Sequence, residues 1–314
     1  MVSTEATVVS SAETARARLR KRSLNVILVD RLFVFAVYVL LITFLAIVLL
    51  PLIYIVASSF SSPGAVSSGR VGLWPVDFTL RGYEVALRDP KIVSGFLNSL
   101  FYTTAGTLLS VVLTIAIAFP LSRIDFFGGR LITKLIVFTM LFSGGLIPTY
   151  MVVRSMGMLD TPWALIVPNA IGVWQVILAM AYFRDAIPKE LYEASRVDGA
   201  GDIRFLLLIA IPLAKPMIAV IALMYAIGQW NSYFDALIYL RTDALYPLQL
   251  VLRNILILNT QSNLGDATAA LERQQLADLL KYSLIVISTV PVLLIYPFVA
   301  RHFTKGIMLG SVKG

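Results

Sequence analysis

The chain has 314 residues, of which 58% are hydrophobic and only 14% charged, and its mean hydropathy is +0.84. Soluble domains carry roughly 25% charged residues, so a soluble globular protein is excluded. The net charge of +8 would raise nucleic acid as a partner in a soluble chain, and the absence of cysteine excludes disulfides, thiol catalysis and Cys-ligated metal.

Six stretches run without a charged residue: Leu32 to Gly69, Ile92 to Ser122, Leu135 to Val153, Thr161 to Phe183, Pro216 to Phe234 and Tyr282 to Ala300, each at least 19 residues long. About 20 apolar residues cross a bilayer core of roughly 30 Å. The predicted fold is therefore all-α, an integral membrane helical bundle of six transmembrane helices near 31–57, 94–121, 132–153, 162–184, 206–231 and 281–302.

In chain order, residues 1–30 read as a disordered N-terminal tail rich in Ser, Thr and Ala and ending in Arg16, Arg18, Arg20, Lys21 and Arg22. A full-length span follows it, where a signal peptide would show a short apolar core and a cleavage site. The first helix and its loop fill 31–91, and Trp74, Phe78 and Tyr83 in that loop are candidate interfacial anchors. A core domain occupies 92–304. Within it, Arg123-Ile-Asp-Phe-Phe-Gly-Gly-Arg130 is a tight basic turn, and Arg154 to Asp160 is long enough only for a turn. The fifth span contains Lys215, Pro212 and Pro216, and the prolines predict a kink that neighbouring helices resatisfy. Tyr246 to Leu258 is apolar but too interrupted to span, so an interfacial or re-entrant helix is expected. Asn259 to Gly265 is a turn cluster, Asp266 to Leu280 has helical spacing, and 305–314 form a C-terminal tail.

Charge sidedness orients this chain. With the N-terminus inside, inner segments hold 17 of the 26 Lys and Arg and nine of the 18 Asp and Glu. The whole basic excess is then on the inner side, and no nucleic acid is needed to explain it.

One polar interruption stands out, Leu191-Tyr-Glu-Ala-Ser-Arg-Val-Asp-Gly-Ala-Gly-Asp-Ile-Arg204. Pro188 suits a helix start, no breaker follows until Gly199, and Gly199 suits a helix end. Asp202 is placed to cap the next helix. Residues 188–199 are thus predicted to form about three turns of helix, too polar for lipid, lying on the inner membrane surface between two spans. Leu191, Ala194, Ser195 and Asp198 share one face by the three-and-four spacing. The plainer alternative makes Glu193 and Arg196 a solvated pair worth about 0.2–0.5 kcal/mol.

The ordering Glu193-Ala194-Ser195, Asp198-Gly199-Ala200, Pro212-Leu213 and Pro216 resembles the membrane subunit of ATP-binding-cassette importers, which carries Glu-Ala-Ala, Asp-Gly-Ala, Pro-Leu and a final Pro before its penultimate helix. Ser195 departs from the second Ala, small for small, and Ala210 and Ile211 depart mildly. Phe96-Leu-Asn-Ser-Leu100, Leu121 to Arg130, Gly157-Met-Leu-Asp-Thr161, Ile187-Pro-Lys-Glu-Leu191 and the ending Lys305 to Gly314 are similar to the maltose-type carbohydrate branch, the ending to members importing oligosaccharides. Residues 1–30 fall outside the match.

The resemblance implies a type I importer permease fold with 188–199 as its coupling helix. It also implies a division of labour: an external solute-binding protein delivers carbohydrate, this chain and a second homologous permease subunit form the path in the lipid membrane, and two copies of a cytoplasmic ATPase bind ATP and Mg. This chain would bind no cofactor and catalyse nothing, and it has no Gly-x-x-x-x-Gly-Lys-Ser/Thr phosphate loop. Glu193 is then the charged contact into the ATPase cleft, Gly199 the turn that lets the helix lie in the membrane plane, and Leu191 with Ala194 docking surface. Localisation in the bacterial cytoplasmic membrane with both termini inside follows.

Asn169, Trp174 and Gln175 in the fourth span and Tyr225, Gln229 and Asn231 in the fifth, with Trp230 beside them, are candidates for the carbohydrate path. Interhelical hydrogen bonds account for them equally well. His302 is the sole histidine, too few for a His-based metal site. An ion-coupled carrier acting alone is the competing reading, and the lack of a mid-span Asp or Glu counts against it. A membrane enzyme acting on lipid-linked sugar would need a convergent catalytic cluster, which the sequence does not supply.

Overall fold

The computed structural model describes residues 3–258, 280–295 and 297, with side-chain surroundings from residue 30 to 255 and from 280 on. The expected turn cluster at Asn259 to Gly265, nearly all of the following helical stretch, His302 and the tail 305–314 lie outside the described residues. Every regular element among the described residues is helical.

The first helix, α1, runs Ser3–Ser59. It continues upstream of the expected span because residues 3–29 hold no Gly or Pro to break it. From 30 to 52 every residue but Ala46 is exposed. The following loop folds on itself: α2 (Pro63–Ser67) is capped by Ser62, whose Oγ accepts from the Ala65 N–H at 3.3 Å. Phe60 stacks on Phe78 with centroids 5.7 Å apart, and Ser59 Oγ lies 2.8 Å from the hydroxyl of Tyr83 in α3 (Arg81–Arg88). Of the three expected anchors, Trp74 is 82% and Phe78 68% exposed, while Tyr83 is partly buried.

The central element is α4 (Pro90–Ser122), which starts at Pro90 with Asp89 as its cap. At 1.5 Å per residue it is about 50 Å long, ample to span. Gly95, Ser99, Thr103, Gly106, Ser110 and Thr114 form a buried small-residue stripe along it. Small side chains let helix backbones approach closely in a membrane, and α8, α12 and α14 pack against this helix.

The third expected span is broken. It forms α5 (Gly129–Leu141) and α6 (Leu146–Ser155), which meet at 117°. Ser143-Gly144-Gly145 intervenes, and Gly145 has φ +86°, a backbone state closed to a continuing helix. The fourth is also interrupted: α7 (Trp163–Ile166) is one turn, Pro168 and Gly172 lie in the gap, and α8 (Val173–Ala186) follows. Fourteen helical residues reach about 21 Å, short of the bilayer core.

After α9 (Lys189–Val197) the fifth span opens with α10 (Asp202–Phe205), a π turn at Leu206–Ala210 and α11 (Ile211–Leu213), then bends by 82° into α12 (Lys215–Trp230). Pro212 and Pro216 each remove a backbone N–H and crowd the carbonyl four residues back, so the kink expected from sequence is present. Next come α13 (Tyr233–Tyr239) and α14 (Leu248–Leu258). The latter is the expected non-spanning apolar helix: Leu248 and Leu250 are buried, and the Leu248 N–H donates to Ser99 Oγ at 2.8 Å. The last described helix, α15 (Leu280–Ile295), is tied to α12 by Trp230, whose ring N–H donates to the Ser288 carbonyl at 2.9 Å.

Among the described residues two helices are long and apolar enough to cross a membrane, or up to four if each bent pair is one span. Among the described residues, glycine and proline fall inside hydrophobic runs that composition reads as continuous, so the third and fifth expected spans are bent pairs and the fourth is interrupted.

Candidate functional site: a helix seated on an aromatic cluster

Pro188 is extended, with φ −59° and ψ 142°, and sits just before the first residue of α9. The helix ends at Gly199, φ +77°. The Gly199 N–H donates to the Arg196 carbonyl at 3.0 Å and the Ala200 N–H to the Ser195 carbonyl at 2.9 Å, the paired bonds of a Schellman end. Pro188 and Gly199 thus flank the helix as the sequence reading has them, but the helix itself is nine residues, shorter than the three turns expected over 188–199.

The two faces of α9 differ sharply. Leu191, Glu193, Ala194 and Asp198 are exposed, and so is Val197, at 88%. Ser195 is buried at 6%, with its hydroxyl donating to the Tyr192 carbonyl at 2.7 Å. The single face expected for Leu191, Ala194, Ser195 and Asp198 is therefore divided: one residue step is 100° of helix, enough to turn Ser195 inward while Ala194 faces out. Among the described residues Glu193 has no ion pair and no hydrogen bond. Its expected partner Arg196 instead lies 5.9 Å from the Tyr192 ring centroid.

Tyr192 anchors the inner face. Its ring meets Phe205 edge-on at 5.1 Å, and its hydroxyl donates to Asp202 Oδ1 at 2.5 Å. That bond, followed by burial, raises the hydroxyl's pKa. Gly201, rather than Asp202, holds the cap position of α10, because the Asp202 carboxylate is turned to Tyr192. Phe205 is fully buried and lies 6.2 Å from Phe119 at the end of α4, which meets Phe183 of α8 edge-on at 5.7 Å.

Into this cluster Arg123 projects from the turn after α4. Its guanidinium carbon lies 3.9 Å from the Tyr192 centroid, 4.8 Å from Phe119 and 5.0 Å from Phe205. Burial lowers its pKa, with Tyr192, Asp202 and Asp125 acting in the opposite sense. A cleft of about 530 Å³ between Phe119, Arg123, Tyr192, Asp202 and Leu206 opens beside it. A second, about 370 Å³, also lined by Arg123 and Tyr192, reaches Arg184 and Glu193.

The candidates for the path separate. The Tyr225 hydroxyl sits 2.7 Å from Thr114 Oγ1 and accepts from the Gly172 N–H at 2.9 Å, a buried link among three segments. Gln229 is 6% exposed against Gly106. Asn231 donates to the Ile227 carbonyl of its own helix at 2.8 Å, and Asn169 donates to Asp235 Oδ2 at 2.7 Å. Tyr225 and Gln229 are thus buried among the helices, whereas Asn169 and Asn231 are exposed with one hydrogen bond each. Trp174 is 57% exposed and Gln175 half-buried, without a hydrogen bond among the described residues. No group of three or more acidic or histidine side chains among the described residues is placed to hold a metal ion.

Arg123, Tyr192 and Val197 are the residues that sequence reasoning missed. Val197 carries a local signal, an apolar residue three positions after Ala194 on a polar helix. Arg123 carries none, since its rings come from three separate segments.

No protein-family profile matches the chain. It is 41% identical over 271 residues to Protein LplC of Bacillus subtilis, covering 86% of this chain and 90% of the relative. It is 40% identical over 290 residues to the polygalacturonan/rhamnogalacturonan transport system permease protein YtcP of the same organism, covering 91% and 99%. Among solved structures, a chain of a bacterial ABC transporter involved in the import of the acidic polysaccharide alginate superposes with a TM-score of 0.81 at 36% identity, over 87% of this chain and 97% of that one.

Proposed function

The chain belongs to the permease subunits of ATP-binding-cassette sugar importers, and on that premise we propose that it conducts an oligosaccharide of sugar acids while α9 couples it to a cytoplasmic ATPase. The observation that carries the coupling role is the two-faced build of α9. Its inner face is held by Tyr192 and Ser195, its end is closed at Gly199, and Leu191, Glu193, Ala194 and Val197 are exposed, Val197 most of all. An exposed apolar residue flanked by an unpaired carboxylate, on a helix fixed from behind, suits a protein partner.

In this reading the α9 end faces the cytoplasm with both chain termini. A second permease subunit completes the path and the bundle of six crossings, some bent, and two ATPase copies bring ATP and Mg. A solute-binding protein delivers the sugar from the other side. Polygalacturonan and alginate are both chains of sugar acids, which is the support for an acidic oligosaccharide.

The test is uptake by the complex that co-purifies with the tagged chain, reconstituted in liposomes with its binding protein and ATP inside. Oligogalacturonide is expected to enter and a neutral oligosaccharide of equal length is not, and Glu193→Lys is expected to abolish uptake while the chain stays in the membrane. Uptake by the chain alone, without an ATPase, would overturn the coupling role; equal uptake of both sugars would overturn the substrate class.

A further inference from the structure

We propose that Arg123 is a positioning residue for transport, the pin through which displacement of α9 is passed to α4; this rests on the coupling role given to α9. Among the described residues the guanidinium is the one cation over a ring from each of three elements: Phe119 of α4 at 4.8 Å, Tyr192 of α9 at 3.9 Å and Phe205 of α10 at 5.0 Å. Its Nε and Nη2 atoms are buried and have no hydrogen-bond partner among the described residues. Leaving donors of a cation unpaired is unfavourable, and a nearby carboxylate would ordinarily be recruited. Asp125 and Asp202 line the same cleft, yet neither forms an ion pair with Arg123 among the described residues, and Asp202 takes the Tyr192 hydroxyl instead.

The stabilisation therefore comes from ring faces, several of which a planar, weakly hydrated guanidinium can lie against at once, while a compact, strongly hydrated ammonium engages them less well. Such a contact keeps α9, α10 and the end of α4 in register while leaving the exposed face of α9 free for a partner. Without it, α9 retains its own helix ends and its docking face but loses its grip on the long central helix. Force applied to α9 would then be spent on local movement.

The experiment compares uptake per ATP hydrolysed in the reconstituted complex for wild type, Arg123→Ala, Arg123→Lys, Tyr192→Leu and Tyr192→Phe. Arg123→Ala and Tyr192→Leu are expected to keep hydrolysing ATP while uptake per ATP falls by about tenfold or more. Arg123→Lys is expected to restore little, and Tyr192→Phe, which keeps the ring and loses only the hydroxyl bond, to stay near wild type. An unchanged ratio in Arg123→Ala, or uptake and hydrolysis falling together at constant ratio, would overturn the proposal. If Arg123→Ala does not assemble, Arg123→Lys decides by the same ratio. Failure of the underlying coupling role would appear differently, as a wild-type chain that brings down no ATPase.

Discussion

Asp160 shows how one side chain fixes a loop. Its backbone has φ +58°, in the left-handed region that Asp tolerates better than most residues. Its carboxylate accepts from the Arg241 N–H at 2.8 Å, the Thr242 N–H at 2.9 Å and the Thr242 hydroxyl at 2.7 Å, while its own N–H donates to the Tyr239 carbonyl at 2.9 Å. These bonds, the Thr242 hydroxyl foremost, hold the carboxyl's pKa below its ordinary value. A lowered folded pKa adds stability above the unfolded value, about 3.9, and that stability is lost as pH falls through the folded value. Asp160→Asn keeps the backbone preference and removes the charge. It is expected to melt at lower temperature than wild type at pH 7, with the gap closing toward pH 3, as read by thermal unfolding in detergent. No feature of the sequence around Asp160 announces this role, because its carboxylate's partners lie 81 and 82 residues along the chain.

At the scale of elements, helix ends and helix contacts make opposite demands of glycine. A Cβ at Gly199 would meet nothing within 4 Å, so the barrier to substitution is its φ of +77° alone. Gly199→Ala is expected to destabilise the end of α9 by about 1–2 kcal/mol, seen as faster hydrogen exchange at the amides of residues 199 and 200. Gly106 is the reverse case. It lies in α4, and a Cβ there would come within 2.9 Å of the buried side chain of Gln229 on α12. Gly106→Val is expected to cost about 1–3 kcal/mol by overpacking, read as a lower melting temperature. The Gly199 requirement was legible in sequence because a helix end is a local event. The Gly106 requirement was not, since it depends on which helix lies opposite.

For the molecule as a whole, α1 stands apart. Its exposed stretch from 30 to 52 leaves attachment to the segment near its end, where Tyr54 meets Tyr282 edge-on at 5.8 Å and Ala57 packs with Ala65, Val66 and Val71. A helix so apolar and so little buried is stable only in lipid or against another subunit. Leu40, 68% exposed, is the natural probe: Leu40→Trp fluorescence is expected to be quenched by lipids brominated near mid-chain and unaffected by aqueous iodide. Strong iodide quenching would place that segment in water.

The sequence by itself determined that the chain is helical and lives in a membrane, because hydropathy is a sum over neighbours and needs no fold to be read. It also determined the start and end of α9, since Pro188 and Gly199 act on their own backbone dihedrals. Only the tertiary structure decided that two of the hydrophobic runs break at Gly145 and between Pro168 and Gly172, that Ser195 turns inward while Val197 turns out, and that Tyr225 and Gln229 are spent within the bundle. The same holds for Arg123, whose three rings are brought together by the packing of α4, α9 and α10. The physical reason is range: dihedral preference and transfer to lipid belong to each residue and its immediate neighbours, whereas burial, pairing and direction depend on which distant segment arrives opposite.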